Sequence, residues 1–161
     1  MNSRIIKVAF STFVGIYLTL IVFNNLIDYG SNFQFVMQVT SMEDTFAFQA
    51  NQWRSINNPI LHHIFYISII ALELTVCSLC LFGAYKMANH LKADQEQFKR
   101  AKMASTLGYA LGIGLWFFVF AAIAGEWFLM WQSEEWNAQG TAFSLTCIFL
   151  LFLIFHTQEN E

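Results

Sequence analysis

The sequence predicts an all-α membrane protein, a bundle of four transmembrane helices, from its low charge and the length of its apolar segments. Of its 161 residues, 57% are hydrophobic and 12% are charged, whereas soluble domains average about 25% charged residues. Four apolar segments are each close to or above the roughly 20 residues that span a bilayer. They lie at 5–27, 60–85, 103–131 and 138–155. We therefore expect one domain, 1–161, with a long first outer loop at 28–59 and a cytoplasmic link at 86–102.

The basic residues predict the orientation of the four spans. Seven of them lie near the amino terminus or around the link 86–102, whereas Arg54 lies in the loop 28–59. The seven are Arg4, Lys7, Lys86, Lys92, Lys99, Arg100 and Lys102. Basic residues favour the cytoplasmic side, so both termini are expected in the cytoplasm. An aromatic belt marks the opposite boundary, and it consists of Trp53, Trp127, Trp131 and Trp136.

Two carboxylates interrupt the apolar spans. Glu73 lies in the second span and Glu126 in the third, while the first span carries no charge after Lys7 and the fourth carries none. A charge inside the hydrocarbon costs roughly 2.5–3.5 kcal/mol even on mild insertion scales. Such residues face partners, cavities or protons rather than lipid, so these two glutamates are the first candidates for a functional role.

One face of the second span is polar or polarizable. At 100° per residue, six positions share this face, namely His62, Tyr66, Ile69, Glu73, Cys77 and Cys80. We expect this stripe to face the bundle interior, with His63 lying 100° away from it. Glu73 is near mid-membrane, so we expect it to be protonated unless Tyr66 or a polar group from another helix stabilises its charge.

The third span carries a complementary stripe of small and apolar residues that ends at a carboxylate. Its members are Gly108, Gly112, Leu115, Val119, Ala122 and Glu126. Glycines at this spacing let a second helix approach closely. Glu126 lies about five residues inside Trp131, roughly 8 Å by helical rise, at the expected depth of His62 and His63. We therefore expect Glu126 to face the interior and to contact the second helix or the outer loop.

Three interpretations of this polar cluster remain open. In the first, Glu126 pins the bundle by a hydrogen bond to a histidine or a loop amide. In the second, His62 or His63 forms a metal, quinone or other ligand site with Glu126. His62, His63 and Glu126 are weak metal candidates, because a dedicated site usually supplies three or four ligands. In the third, Glu126 and Glu73 carry protons or ions in series.

The loop 28–59 is too long for a simple helix hairpin. We expect a folded or interface-lying cap over the outer mouth of the bundle, and Ser41 and Asp44 are placed to open a short helix there by capping. The acidic tail 158–161 is expected to fray. A basic groove and a phosphate-binding glycine loop do not occur in the sequence, which excludes nucleic acid as an expected partner.

Three segments carry a resemblance to a known family. They are 23–39, 58–73 and 125–137. They resemble a family of small bacterial four-helix integral inner-membrane proteins catalogued as a domain of unknown function, and the likeness covers essentially the whole chain. It includes His62, His63, Glu73 and the block Gly125-Glu126-Trp127. The resemblance implies a bacterial inner membrane and supplies no reaction, cofactor or catalytic residue.

The leading functional prediction is a small non-enzymatic accessory or interaction subunit of a membrane complex. The sequence contains no nucleophile–base arrangement and no soluble catalytic domain, which favours this class. Its expected partners are the lipid bilayer and either other membrane subunits or a second copy of the chain. The alternatives are a binding site for a metal, a quinone or a lipid beneath the outer loop, with a redox-linked role as one option, and a proton- or ion-coupled carrier.

Overall fold

The computed structural model describes residues 2–46 and 48–158, and the secondary-structure elements within these residues are all helices. Six α-helices are α1 (Asn2–Ile27), α2 (Tyr29–Ser41), α3 (Phe48–Asn51), α4 (Pro59–Asn89), α5 (Gln95–Ile113) and α6 (Gln139–Thr157). A π-helix, the π segment (Gly114–Trp127), continues α5, and 3-10 turns occupy Gln52–Arg54 and Met130–Gln132. We expect the acidic tail 158–161 to fray, and its residues 159–161 lie outside the described residues.

The predicted four-helix membrane fold is confirmed. Within the described residues, four helices are long and apolar enough to cross a membrane, namely α1, α4, α5 with the π segment, and α6. They pack in sequence order, α1 on α4, α4 on α5, and α5 with the π segment on α6. Large apolar side chains on every one of them remain exposed, such as Phe13, Ile67, Phe118 and Leu151. In a bilayer these side chains contact lipid, which is the exposure that an integral membrane protein requires.

Capping side chains mark the first residues of α4 and α5. The side chain of Asn58 accepts a 2.9 Å hydrogen bond from the backbone N–H of Ile60, and Pro59 occupies the first helical position of α4. Asp94 caps α5 in the same way, accepting from the N–H of Gln97 at 2.8 Å. A capping side chain satisfies one of the backbone N–H groups that a helix leaves unpaired, so these residues define where each helix starts.

A single buried face of α1 places its polar residues inside the bundle. The buried residues recur at intervals of three and four, as expected for one face of a helix. Besides Gly15, they are Arg4, Lys7, Ser11, Val14, Leu18, Val22 and Asn25. Val14 and Leu18 belong to the central apolar core, where they meet Val76 of α4 and Phe149 of α6. Asn25, at the other end of the same face, is thereby held against α4.

Basic side chains tie together the end of the bundle that carries both termini, here called the terminal end. Arg4 donates from Nη1 to the carbonyl oxygens of Leu91 and Ala93, at 3.1 and 2.6 Å, just beyond α4. Lys102 donates from Nζ to the carbonyl oxygen of His156 at 3.2 Å, near the end of α6. Cations at a helix carboxyl end satisfy unpaired carbonyls and complement the helix dipole, so these contacts stabilise the ends of α4 and α6.

The π segment changes which residues of the third span face inward. The N–H of Phe128 donates to the carbonyl of Ile123, five residues earlier, at 3.0 Å. Its buried residues are Leu115, Trp116, Ala121 and Gly125, and the last three are spaced by five and four. The expected stripe that ran from the glycines of α5 to Glu126 assumed 100° per residue throughout. That expectation is correct for Leu115, which is buried, and wrong for Glu126, which is exposed, because i→i+5 winding rotates the later residues away from the glycine face.

The connection 28–59 contains a helix of 13 residues, α2, that packs on α4. The expectation that Ser41 and Asp44 open a helix is wrong, because Ser41 is the last residue of α2. The buried Met42 then adopts the left-handed conformation at φ 59°, which turns the chain out of the helix. Asp44 instead accepts a hydrogen bond from the hydroxyl of Ser133, which lies in the connection between the π segment and α6. We call this end of the molecule the α2 end.

Candidate functional site

Glu73 is buried in the centre of the protein and hydrogen-bonded to α1. Its side chain is 2% exposed, and its Oε2 accepts a 2.7 Å hydrogen bond from Nδ2 of Asn25. Asn25 is the polar group from another helix that the sequence could not name. The pair joins α1 to α4 at a depth where an unpaired polar group would be expensive, so Glu73 has the protein partner that its position demands.

Tyr66 completes this buried polar group. It lies about two helical turns before Glu73 on α4 and is 2% exposed. Its hydroxyl donates to the backbone carbonyl of Asn25 at 3.0 Å. That carbonyl lies in the last turn of α1, where carbonyl groups lack a partner within the helix. Tyr66 therefore caps α1 while Glu73 engages the side chain of the same asparagine.

The two predicted histidines have separate partners at the α2 end. His62 is 3% exposed, and its Nε2 donates to the carbonyl of Ile56 at 2.7 Å. The N–H of Ile56 donates in turn to the carbonyl of Thr40 in α2 at 2.9 Å. His62 thus anchors the end of α2 to the start of α4, which is a structural role.

His63 is exposed and forms part of an aromatic group beside α2. Its Nδ1 lies 2.8 Å from the hydroxyl of Tyr29, and its ring stacks on Phe33 with 4.1 Å between the centroids. Tyr29 also contacts the ring of Tyr66, edge on, at 4.7 Å. His63 therefore holds α2 against α4 from the outer face, and it does not share a ligand site with His62.

Glu126 does not make the contacts that we expected of it. It is exposed, and its Oε1 accepts a 3.1 Å hydrogen bond from Nε2 of Gln139, in the first turn of α6. The π winding explains this position, since it rotates Glu126 off the inward face. Within residues 2–46 and 48–158, no group of three or more His, Cys, Asp or Glu side chains is placed to hold a metal ion. Glu126 and Glu73 hydrogen-bond to different helices, Glu126 to α6 and Glu73 to α1.

Glu73 is one of the residues that line a partly polar cavity of about 240 Å³. Side chains of α1, α2, α4 and the π segment line it. Its polar lining residues are Asn25, Asn32, Tyr66 and Glu73, and its aromatic ones include Phe35, Trp116 and Phe120. The cavity thus combines a carboxyl group and two amides with aromatic walls.

A second cavity, of about 230 Å³, lies beneath α2, and the described residues line it with apolar atoms. Phe35, Val36, Ile69 and Phe120 line both cavities. Ser68, at the rim of the apolar cavity, is exposed on α4. We call the two cavities together the chamber. The chamber has one polar end at Glu73 and one apolar end under α2, and such concave sites are where proteins bind small molecules.

Sequence reasoning identified Glu73 and Tyr66 in this site but missed Asn25, Asn32 and Trp116. Asn25 carried a usable signal, because it continues the three-and-four spacing of the buried face of α1. Asn32 and Trp116 carried none, since no helix is predicted over 29–41 within the expected cap and the π winding decides which residues of its segment face inward.

The spans and the buried polar chamber between them define a small four-helix integral membrane protein. The family comparison agrees, because residues 3–159 match the model of a family described as "predicted small integral membrane protein" (DUF2165). The chain belongs to this family, which is a domain of unknown function. No curated protein and no solved structure matched the chain.

Proposed function

We propose that this protein binds an amphipathic small molecule, drawn from the membrane, in the chamber beneath α2. The observation that carries the proposal is that an apolar and a polar cavity share four lining residues. The apolar cavity has a volume of about 230 Å³ and the polar one of about 240 Å³. The polar one is lined by the buried Glu73, Asn25 and Tyr66. This arrangement suits a ligand with a polar head and an apolar tail.

The polar end of the chamber would determine which molecule binds. A ligand tail gains little by leaving lipid for an apolar cavity, because lipid tails are as apolar as the side chains that replace them. Hydrogen bonds to the head, in contrast, are made in a medium of low dielectric constant, where each counts for more than in water. Affinity would therefore come mainly from the groups around Glu73.

We place this binding role within the class of non-enzymatic accessory or interaction subunits. Binding a ligand at an internal site requires no nucleophile, and the chamber offers one carboxyl group without a neighbouring base. In this proposal the protein presents or retains its ligand for a membrane complex. Of the earlier alternatives, a quinone or a lipid would suit the chamber, while a metal ion lacks a ligand set in the described residues.

We also propose that the terminal end is cytoplasmic and that the membrane is a bacterial inner membrane. Seven of the eight basic residues lie at or near the terminal end of the bundle. Arg54, at the α2 end, is the exception, and its guanidinium lies over the rings of Trp53 and Trp127. This asymmetry supports the orientation by the positive-inside rule. In this orientation the chamber lies toward the periplasmic side.

Equilibrium dialysis of the protein in nanodiscs of zwitterionic lipid tests the binding function. The probes are three radiolabelled molecules with one ten-carbon chain each: decanol, decanoate and decylamine. We expect saturable binding of at least one probe, at one molecule per chain, above the partitioning into empty nanodiscs. Failure of all three to bind saturably would overturn the proposal.

A matched pair of substitutions locates the binding. Ala124 lines the apolar cavity, so Ala124→Phe fills the space that the tail requires and should abolish saturable binding. Ala71 is exposed on α4, so Ala71→Phe adds the same ring toward lipid and should leave binding unchanged. Equal binding by both variants would place the probe outside the chamber and refute the proposed site.

A further inference from the structure

We propose that the ligand of the chamber is an organic ammonium ion, with a protonated amine as its head and an apolar body, for which Glu73 is the counter-ion. This inference rests on the proposed binding function and specifies its ligand class. Three features of the chamber support this ligand class: its charge, the unused acceptor capacity of Glu73 and its aromatic walls.

The chamber is negatively biased. Among the described residues that line its two cavities, Glu73 is the one acidic residue, and none is Lys, Arg or His. An anionic head would meet a carboxyl group and find no cation to pair with. A cationic head would find its counter-charge at the polar end, and intramembrane carboxylates commonly serve as counter-ions of this kind.

Glu73 also retains acceptor capacity that a donor head could use. A carboxylate offers about four lone-pair sites. Among the described residues, Glu73 accepts a hydrogen bond from the side chain of Asn25 at 2.7 Å. An ammonium group brings three N–H donors. One can reach the Glu73 carboxyl group, while the side-chain oxygens of Asn25 and Asn32, which line the same cavity, are acceptors for the others.

The aromatic walls favour a cation over a neutral acceptor head. Trp116 lines the polar cavity, which gives this cavity an aromatic wall. Phe120 stacks on Trp116 at 4.8 Å and lines the same cavity. Aromatic surfaces of this kind attract cations through the ring quadrupole.

The comparison of the three probes in wild-type nanodiscs tests this inference without any substitution. Decylamine is protonated at pH 7, as a lysine side chain is, whereas decanol has the same tail with a neutral head and decanoate has an anionic one. We expect decylamine to bind at least tenfold more tightly than decanol, and decanoate to bind least. Equal or tighter binding of decanol or decanoate would overturn the ligand class. The proposed binding function would stand in that case if Ala124→Phe still abolished the signal.

Substitution of the counter-ion gives the second test. Glu73→Gln keeps the size and an acceptor oxygen but removes the charge, so we expect decylamine to bind roughly ten- to a hundredfold more weakly, as for loss of a charged hydrogen bond. Decanol binding should change less than about threefold on the same scale. The matched control is Glu126→Gln, which removes the other carboxylate of the spans, at an exposed position bonded to Gln139. A loss of decylamine binding in Glu126→Gln as large as in Glu73→Gln would refute the assignment of the counter-ion.

Discussion

The hydrogen bond between Asn25 and Glu73 makes a quantitative prediction about the stability of the bundle. Asn25→Leu removes the amide donor while keeping a side chain of similar size, and Glu73→Leu removes the acceptor. The bond from Tyr66 survives the first change, because Tyr66 donates to the backbone carbonyl of Asn25 and not to its side chain. The two substitutions and their combination therefore isolate the 2.7 Å contact between the side chains.

The expected coupling energy follows from the burial of both partners. Each single substitution strands a buried polar group, at a cost of about 1–3 kcal/mol, while the double substitution strands neither. Hydrogen bonds between membrane helices have coupling energies that average about 0.6 kcal/mol and reach about 1.7 kcal/mol. Because one partner is a carboxyl group and both are at most 8% exposed, we expect a value near the upper limit. The double variant should therefore be more stable than the sum of the two single effects predicts.

The free energy of unfolding can be measured by titration of the purified protein with sodium dodecyl sulfate, followed by circular dichroism. The control cycle combines Asn25→Leu with Glu126→Leu, since Glu126 contacts α6 rather than α1, and it should be additive within about 0.5 kcal/mol. If the cycle with Glu73 is equally additive, the two side chains do not interact, and the polar end of the chamber is incorrectly described.

Three further predictions concern the fold and the orientation. Gly83→Ala would place a Cβ 2.6 Å from a backbone nitrogen of α5, so it should lower the free energy of unfolding by about 1–3 kcal/mol. Gly140→Ala meets nothing within 4 Å and should be neutral or stabilising in the same titration. Glu126→Leu should cost at most about 1 kcal/mol, because the hydrogen bond of this exposed residue competes with water and headgroups; a larger loss would contradict the position of Glu126. In a Cys147→Ser background, Lys92→Cys should react with a membrane-impermeant thiol reagent in inverted vesicles, and labelling in intact cells would reverse the proposed topology.

The polar site shows which buried positions the helical periodicity of the sequence can predict. The stripe on the second span was predicted at 100° per residue, and all of its members except Ile69 are buried in the structure. The same reasoning failed for Glu126, because it assumed regular α-helical winding through a segment that winds as a π-helix. Which residues share a helix face depends on the number of residues per turn. The prediction was therefore correct along α4, which winds as an α-helix, and wrong for Glu126, which lies in the π segment.

The sequence by itself determined the membrane class and the four spans. In hydrocarbon each backbone group must be paired within its own segment, so a long apolar run has essentially one available structure, the helix. The tertiary structure decided which polar groups meet. Asn25 and Glu73 are 48 positions apart, and their contact depends on the rotation of α1 against α4. The chamber likewise exists only because α2 folds back on α4 and the π segment turns Trp116 and Phe120 toward it. Such contacts depend on how helices pack side by side, which no local pattern in the chain encodes.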